Sequence, residues 1–151
     1  MTYPKNLIAK LSTAVLSVLL MLSINANAKN ISQEALQKLL KSDHKPLVVD
    51  VRTEGEYAKG HIPGAINIPH KKLKKRLAEL KDVKNKQVIL YCHSGTRANI
   101  AKKILSKSGF SQLDHLSGDF KAWSKKGLPL EKADKKDFNL DKRKVANPCG
   151  Y

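Results

Sequence analysis

The chain has 151 residues, with 29 Lys and Arg against 13 Asp and Glu, a formal net charge of +16 and 41% apolar residues. That length allows one domain, two at most, and the apolar share supports a packed core, which excludes wholesale disorder. Two cysteines exclude a disulfide scaffold or a cysteine-rich zinc module; the positive charge fits nucleic acid, an anionic surface or small anionic substrates without choosing among them.

Residues 1–28 read as a secretory signal peptide. Lys5 and Lys10 give a positive start with no acid in the segment, and Leu11 to Ile24 is apolar apart from small polar residues. Ala26-Asn27-Ala28 supplies the small-x-small cleavage pattern, followed by Lys29. The apolar run is short of the ~20 residues that span a bilayer, so stable membrane insertion is not expected. The signal looks bacterial, which makes the periplasm the expected destination and nucleic acid a poor partner. That compartment is oxidising.

Ser32 caps a helical run through Ala35, Leu36, Leu39 and Leu40. Pro46 to Val51 is a short apolar run, read as a buried parallel strand. Thr53 and Glu56 form a capping box opening a short helix that Gly60 ends. A second strand covers Ala65 to Ile68. Leu73, Leu77 and Leu80 stripe a basic helix from about Lys71 to Leu80, its Lys71, Lys72, Lys74, Lys75 and Arg76 forming a solvated face. Gln87 to Tyr91 is a third strand, Arg97 to Ser108 a helix closed by Gly109, Gln112 to Leu116 a fourth strand, and Asp119 to Lys126 a last helix carrying Trp123. Alternating strands and helices predict an α/β fold with a mostly parallel central sheet and helices on both faces. From Glu131 the sequence is mixed charge with few apolar residues, so 29–130 is the expected domain and 131–151 a C-terminal tail.

The chemistry concentrates in Tyr91-Cys92-His93-Ser94-Gly95-Thr96-Arg97. Cys92 ends a buried strand, and ligands of open α/β sheets sit at the carboxyl ends of strands. A loop curling from there into a helix start turns backbone N–H groups inward, an anion-binding nest aided by the helix dipole. The same field stabilises a thiolate, so a lowered pKa and a nucleophilic sulfur are expected at Cys92. Gly95 permits a tight turn, and Arg97 can brace loop carbonyls or grip an anion bidentately. The plainer alternative is a buried inert cysteine.

Taken in order, Asp50-Val51-Arg52, Glu56-Tyr57, Gly60-His61-Ile62-Pro63-Gly64-Ala65-Ile66-Asn67-Ile68-Pro69, Cys92-x-x-Gly95-x-Arg97 and Leu116-x-Gly118-x-Phe120-x-Ala122-Trp123 resemble a rhodanese domain. With its leader, the chain is similar to small periplasmic single-domain rhodaneses. The resemblance implies a thiosulfate sulfurtransferase. Cys92 would take the outer sulfur of thiosulfate, release sulfite and hand the persulfide sulfur to cyanide or a thiol, with no metal or organic cofactor. His93, Ser94, Gly95, Thr96 and Arg97 would bind the donor. Asp50, Arg52 and His61 would support the site structurally, and Phe120 and Trp123 would pack under the loop. Asp119 departs from the pattern, standing where relatives often carry a second glycine. His93 is a variable position that either meets donor anions or faces solvent.

Two other classes share the architecture. Cys-based phosphatases and arsenate reductases are disfavoured because four residues separate Cys92 from Arg97, one fewer than in related dual-specificity phosphatases, and the loop lacks an acid. A binding or sulfur-carrier module without turnover is disfavoured by the presence of Cys92. His44, His61, His70, His93 and His115 show no ligand spacing, and no phosphate-binding glycine motif occurs. Cys149 is either an incidental thiol or a partner for Cys92. As a partner it would relay sulfur or form a disulfide that a periplasmic thiol-disulfide reductase reopens.

Overall fold

The computed structural model describes residues 30–133. The leader at 1–28, most of the expected tail and Cys149 lie outside the described residues.

Five strands form one parallel sheet in the order β1-β5-β4-β2-β3: β1 (Asn30–Ile31), β2 (Leu47–Asp50), β3 (Ile66–Asn67), β4 (Val88–Tyr91) and β5 (Leu113–Leu116). Four α-helices are interleaved: α1 (Gln33–Leu40), α2 (Glu54–Lys59), α3 (Thr96–Lys107) and α4 (Asp119–Lys125). Every residue of β2 and β4 is buried, as strands covered on both faces require. Alternation splits them between two cores. Leu47, Val49, Val88 and Leu90 pack with Ala98, Ala101 and Leu105 of α3 and with Leu73, Leu80 and Val83. Val48, Ile89 and Tyr91 pack with Leu36 of α1 and Trp123 of α4.

The caps read from the sequence are present. Ser32 Oγ accepts the Ala35 N–H at 3.1 Å, and Thr53 and Glu56 form a reciprocal capping box. Two expectations are corrected. The sheet has a fifth strand, Asn30–Ile31, paired with His115 and Leu116; two residues are too few to show a period. The expected α-helix at Lys71–Leu80 is a 3-10 helix over Leu73–Val83, 11 residues long. At ~2.0 Å rise per residue such a segment covers about 22 Å, against about 16 Å for an α-helix. The segment carries the chain from the carboxyl end of β3 back to the start of β4. Lys71 and Lys72 just before it and Lys74 and Lys75 within it face solvent, while Arg76 is half-buried and pairs with Glu79 at 2.6 Å.

β2 connects outward to β3, and the chain then crosses to β4 on the other side of β2. The carboxyl ends of β2 and β4 therefore flank the point where strand order reverses, the usual ligand crevice of an open α/β sheet.

Candidate active site

Cys92 follows β4 at that crevice and is 1% exposed. The Gly95 N–H donates to its Sγ at 3.0 Å. Gly95 has φ +102°, and it is the N-cap of α3, so the four residues Cys92 to Gly95 turn the chain from strand to helix. The carbonyl of Cys92 accepts the Phe120 N–H at 3.0 Å, and that of His93 accepts the Lys121 N–H at 3.1 Å. Both carbonyls are thus turned toward the first turn of α4. In a trans peptide the N–H points opposite the C=O, so the N–H groups of His93 and Ser94 are directed away from α4. The first turn of α3 adds N–H groups that lack intrahelical acceptors. His93, Ser94 and Thr96 are exposed, and Gly95 is buried. The loop therefore combines a buried sulfur with outward-facing side chains.

The sequence leaves Arg97 either to brace loop carbonyls or to grip an anion. Its guanidinium is already engaged with Glu56 of α2, through Nη1–Oε2 at 2.6 Å and Nη2–Oε1 at 2.9 Å. The Glu56 carboxylate keeps Arg97 further into its protonated range, and the nearby Cys92 sulfur adds to this. In return, Arg97 holds the Glu56 carboxyl well below the usual carboxylate range, helped by the Thr53 hydroxyl and N–H. Arg97 is therefore a fixed positive charge beside the sulfur. The sequence shows Glu56 as a helix cap and as part of a motif; its pairing with Arg97 depends on α2 meeting α3 in the fold, which local sequence does not express.

Asp50 and Arg52 form a buried brace beneath the crevice. Arg52 Nη2 meets Asp50 Oδ2 at 2.6 Å, its Nε meets the same oxygen at 2.9 Å, and its backbone N–H donates to Oδ1 at 2.8 Å. Arg52 Nη2 also donates to the Gly60 carbonyl at 2.8 Å, and the guanidinium lies 3.7 Å from the centre of the Phe120 ring. Tyr91 completes the group, donating contact through its ring to Phe120 and accepting the Ile62 N–H at its hydroxyl, 3.1 Å away. Burial, reinforced by the Asp50 charge, pushes the Tyr91 hydroxyl far above its ordinary range, so it stays neutral.

His61 is buried and tied to other partners. Its ring stacks on Tyr57 at 3.6 Å, and its backbone exchanges two 2.9 Å hydrogen bonds with Glu131. Phe120 lies against Arg52 and the Cys92 carbonyl as expected, whereas Trp123 fills the core beneath α1 and donates its indole N–H to Pro129. One participant was underestimated. The Asp119 carboxylate is 3% exposed, and its Oδ1 accepts the Cys92 N–H at 2.7 Å. The available signal was an acid placed directly after Gly118 where a second glycine is usual.

The family model for the rhodanese-like domain matches residues 32–126. A sulfurtransferase of Allochromatium vinosum is 35% identical over 100 residues, covering 66% of this chain and 92% of the relative. The thiosulfate sulfurtransferase PspE of Escherichia coli is 40% identical over 70 residues, covering 46% of this chain and 67% of the relative. The crystal structure of a rhodanese-like domain protein from Staphylococcus aureus superposes with a TM-score of 0.62 at 29% identity, covering 70% of this chain and 99% of that one. With its parallel sheet, its cysteine loop and these relatives together, the chain belongs to the rhodanese-like sulfurtransferase family.

Proposed function

We propose that the protein transfers sulfane sulfur from thiosulfate, or a similar small anionic donor, to cyanide or a thiol through a persulfide on Cys92. The observation that carries this reading is the sulfur's setting: Cys92 Sγ receives the Gly95 N–H at 3.0 Å while Arg97 holds a fixed positive charge beside it. Oriented N–H groups and a cation stabilise negative charge on an attacking sulfur and on an anionic donor.

The Cys92 thiolate attacks the outer sulfur of thiosulfate. A new S–S bond forms, the old one breaks, and sulfite leaves with its bonding pair. The terminal sulfur of the persulfide then sits where the N–H groups of His93, Ser94 and Gly95 and the α3 N-terminus stabilise negative charge. An acceptor thiolate or cyanide attacks that terminal sulfur and Cys92 departs as thiolate, ready for another donor. No metal or organic cofactor enters this scheme. Four intervening residues between Cys92 and Arg97 suit a single sulfur better than a whole tetrahedral oxyanion. Arg97, engaged with Glu56, acts here through its charge.

The leader motivates the further proposal that this chemistry runs in the periplasm, where a thiol-disulfide reductase would keep Cys92 reduced. Two-substrate kinetics with thiosulfate and cyanide test the scheme. Parallel double-reciprocal lines are expected from a covalent intermediate released between substrates. Intersecting lines, or no turnover, would contradict it.

A further inference from the structure

Among the described residues, Asp119 is the one non-glycine residue with positive φ, +53°. Such a conformation persists where surrounding contacts over-determine it, and here they do. The buried Gln33 side chain donates to the carbonyls of Ser117 and Asp119, at 2.6 and 3.2 Å, holding the turn. Asp119 Oδ1 takes the Cys92 N–H at 2.7 Å, and both carboxylate oxygens meet His115 Nε2, at 3.1 and 3.0 Å. The pair also lies directly behind Gly95: a Cβ there would stand 3.2 Å from Asp119 Oδ2 and 3.4 Å from His115 Cε1. Gly95 is the residue whose N–H holds the Cys92 sulfur.

We propose that Asp119 and His115 are a positioning pair for the Cys92 loop whose net charge sets how well the anionic donor is held. This rests on the sulfur-transfer reading. Asp119 anchors the Cys92 backbone and backs Gly95. Its carboxylate alone would oppose a thiolate and an anionic donor on the other side of the loop. A protonated His115 cancels that charge; a neutral His115 exposes it. Histidine is the side chain that changes charge near neutral pH. The other ionisable groups about the loop include Cys92, the exposed His93, Arg97 with its Glu56 partner, Lys121 in the first turn of α4, and the Asp50–Arg52 pair behind Phe120. The residues in register with His115 are Asn30 on β1 and Leu90 on β4, neither of which carries charge.

The test compares the wild-type protein with Asp119→Asn and His115→Gln between about pH 5.5 and 8.5, the range of histidine titration. Thiosulfate keeps its charge throughout. Wild-type KM for thiosulfate is expected to rise about tenfold from the low-pH to the high-pH end of this range, the size of one partly screened charge nearby. His115→Gln should hold KM at the wild-type high-pH level at every pH, and Asp119→Asn should bring the high-pH KM down by about the same factor. The second readout is Cys92 alkylation by iodoacetamide, followed on its own peptide, which needs no sulfur transfer. It should be faster in Asp119→Asn and, at low pH, slower in His115→Gln. If Asp119→Asn fails to fold, Asp119→Gly removes the same charge and the positive-φ constraint. A histidine-linked KM rise that survives in His115→Gln, or alkylation rates equal across all forms, overturns the pair. Shifted alkylation in a protein that never turns over thiosulfate overturns the sulfur-transfer reading instead.

Discussion

Replacing Asp50 by Asn tests the brace beneath the crevice. Asp50 is fully buried, and Arg52, 2% exposed, donates to it from the backbone, Nε and Nη2. Asparagine keeps the shape and part of the hydrogen bonding, but it leaves a guanidinium that cannot shed its proton without a counter-charge. Removing one partner of a buried pair costs about 3–5 kcal/mol. A domain of this size has about 5–15 kcal/mol in total, and each kcal/mol moves Tm by about 4–8 °C. Asp50→Asn should therefore lower Tm by about 12 °C or more, on the same arithmetic. Arg52→Met alone should also destabilise, because it strips the Gly60 carbonyl of its 2.8 Å donor and Phe120 of the cation on its face. The double variant should cost less than the two singles added, by about 1–3 kcal/mol, since no lone charge remains buried. Urea unfolding of the four proteins gives the cycle. An Asp50→Asn cost below about 1 kcal/mol, or strict additivity, would show that the pair is not the brace described.

Gly95→Ala should impair folding and sulfur loading together, since φ is +102° and the new methyl group would press on Asp119 and His115; near-normal activity would refute the geometry of the loop. Glu56→Gln should cost about 0.5–1 kcal/mol at pH 7, a modest figure because the pair is partly exposed to solvent. The folded-state pKa of Glu56 is depressed, so its contribution is complete above the ordinary value of 4.5 and is lost as pH falls below it. Wild type and Glu56→Gln should accordingly converge in acid, and urea midpoints across that range check this; a gap that widens on acidification would reverse the sign. N-terminal sequencing of protein recovered from the bacterial envelope should begin at or near Lys29, and retention of Met1 would refute the leader.

Much of the fold was legible because it rests on local signals. The apolar runs at Pro46–Val51 and Gln87–Tyr91 are β2 and β4, and Thr53 with Glu56 is a capping box. The 3-10 segment was misread because leucines at 73, 77 and 80 fit an α-helical stripe, although the residues it buries are Leu73, Leu80 and Val83. β1 was missed because two residues carry no pattern. At the site, Cys92, Gly95 and the Asp50–Arg52 pair stood out from motif and spacing. The Arg97–Glu56 and Asp119–His115 pairs did not. Arg97 and Glu56 are 41 residues apart and meet only through the fold. Asp119 and His115 are four residues apart, yet they lie on a strand and a helix joined by a turn at Gly118, so no single periodicity brings them together.

The most direct test of the central claim is the intact mass of the purified, reduced protein after brief exposure to thiosulfate. The account predicts a gain of one sulfur atom, located on the Cys92 peptide, lost on adding cyanide with release of thiocyanate, and absent in Cys92→Ser. No gain in the wild-type protein, or an equal gain in Cys92→Ser, would contradict it.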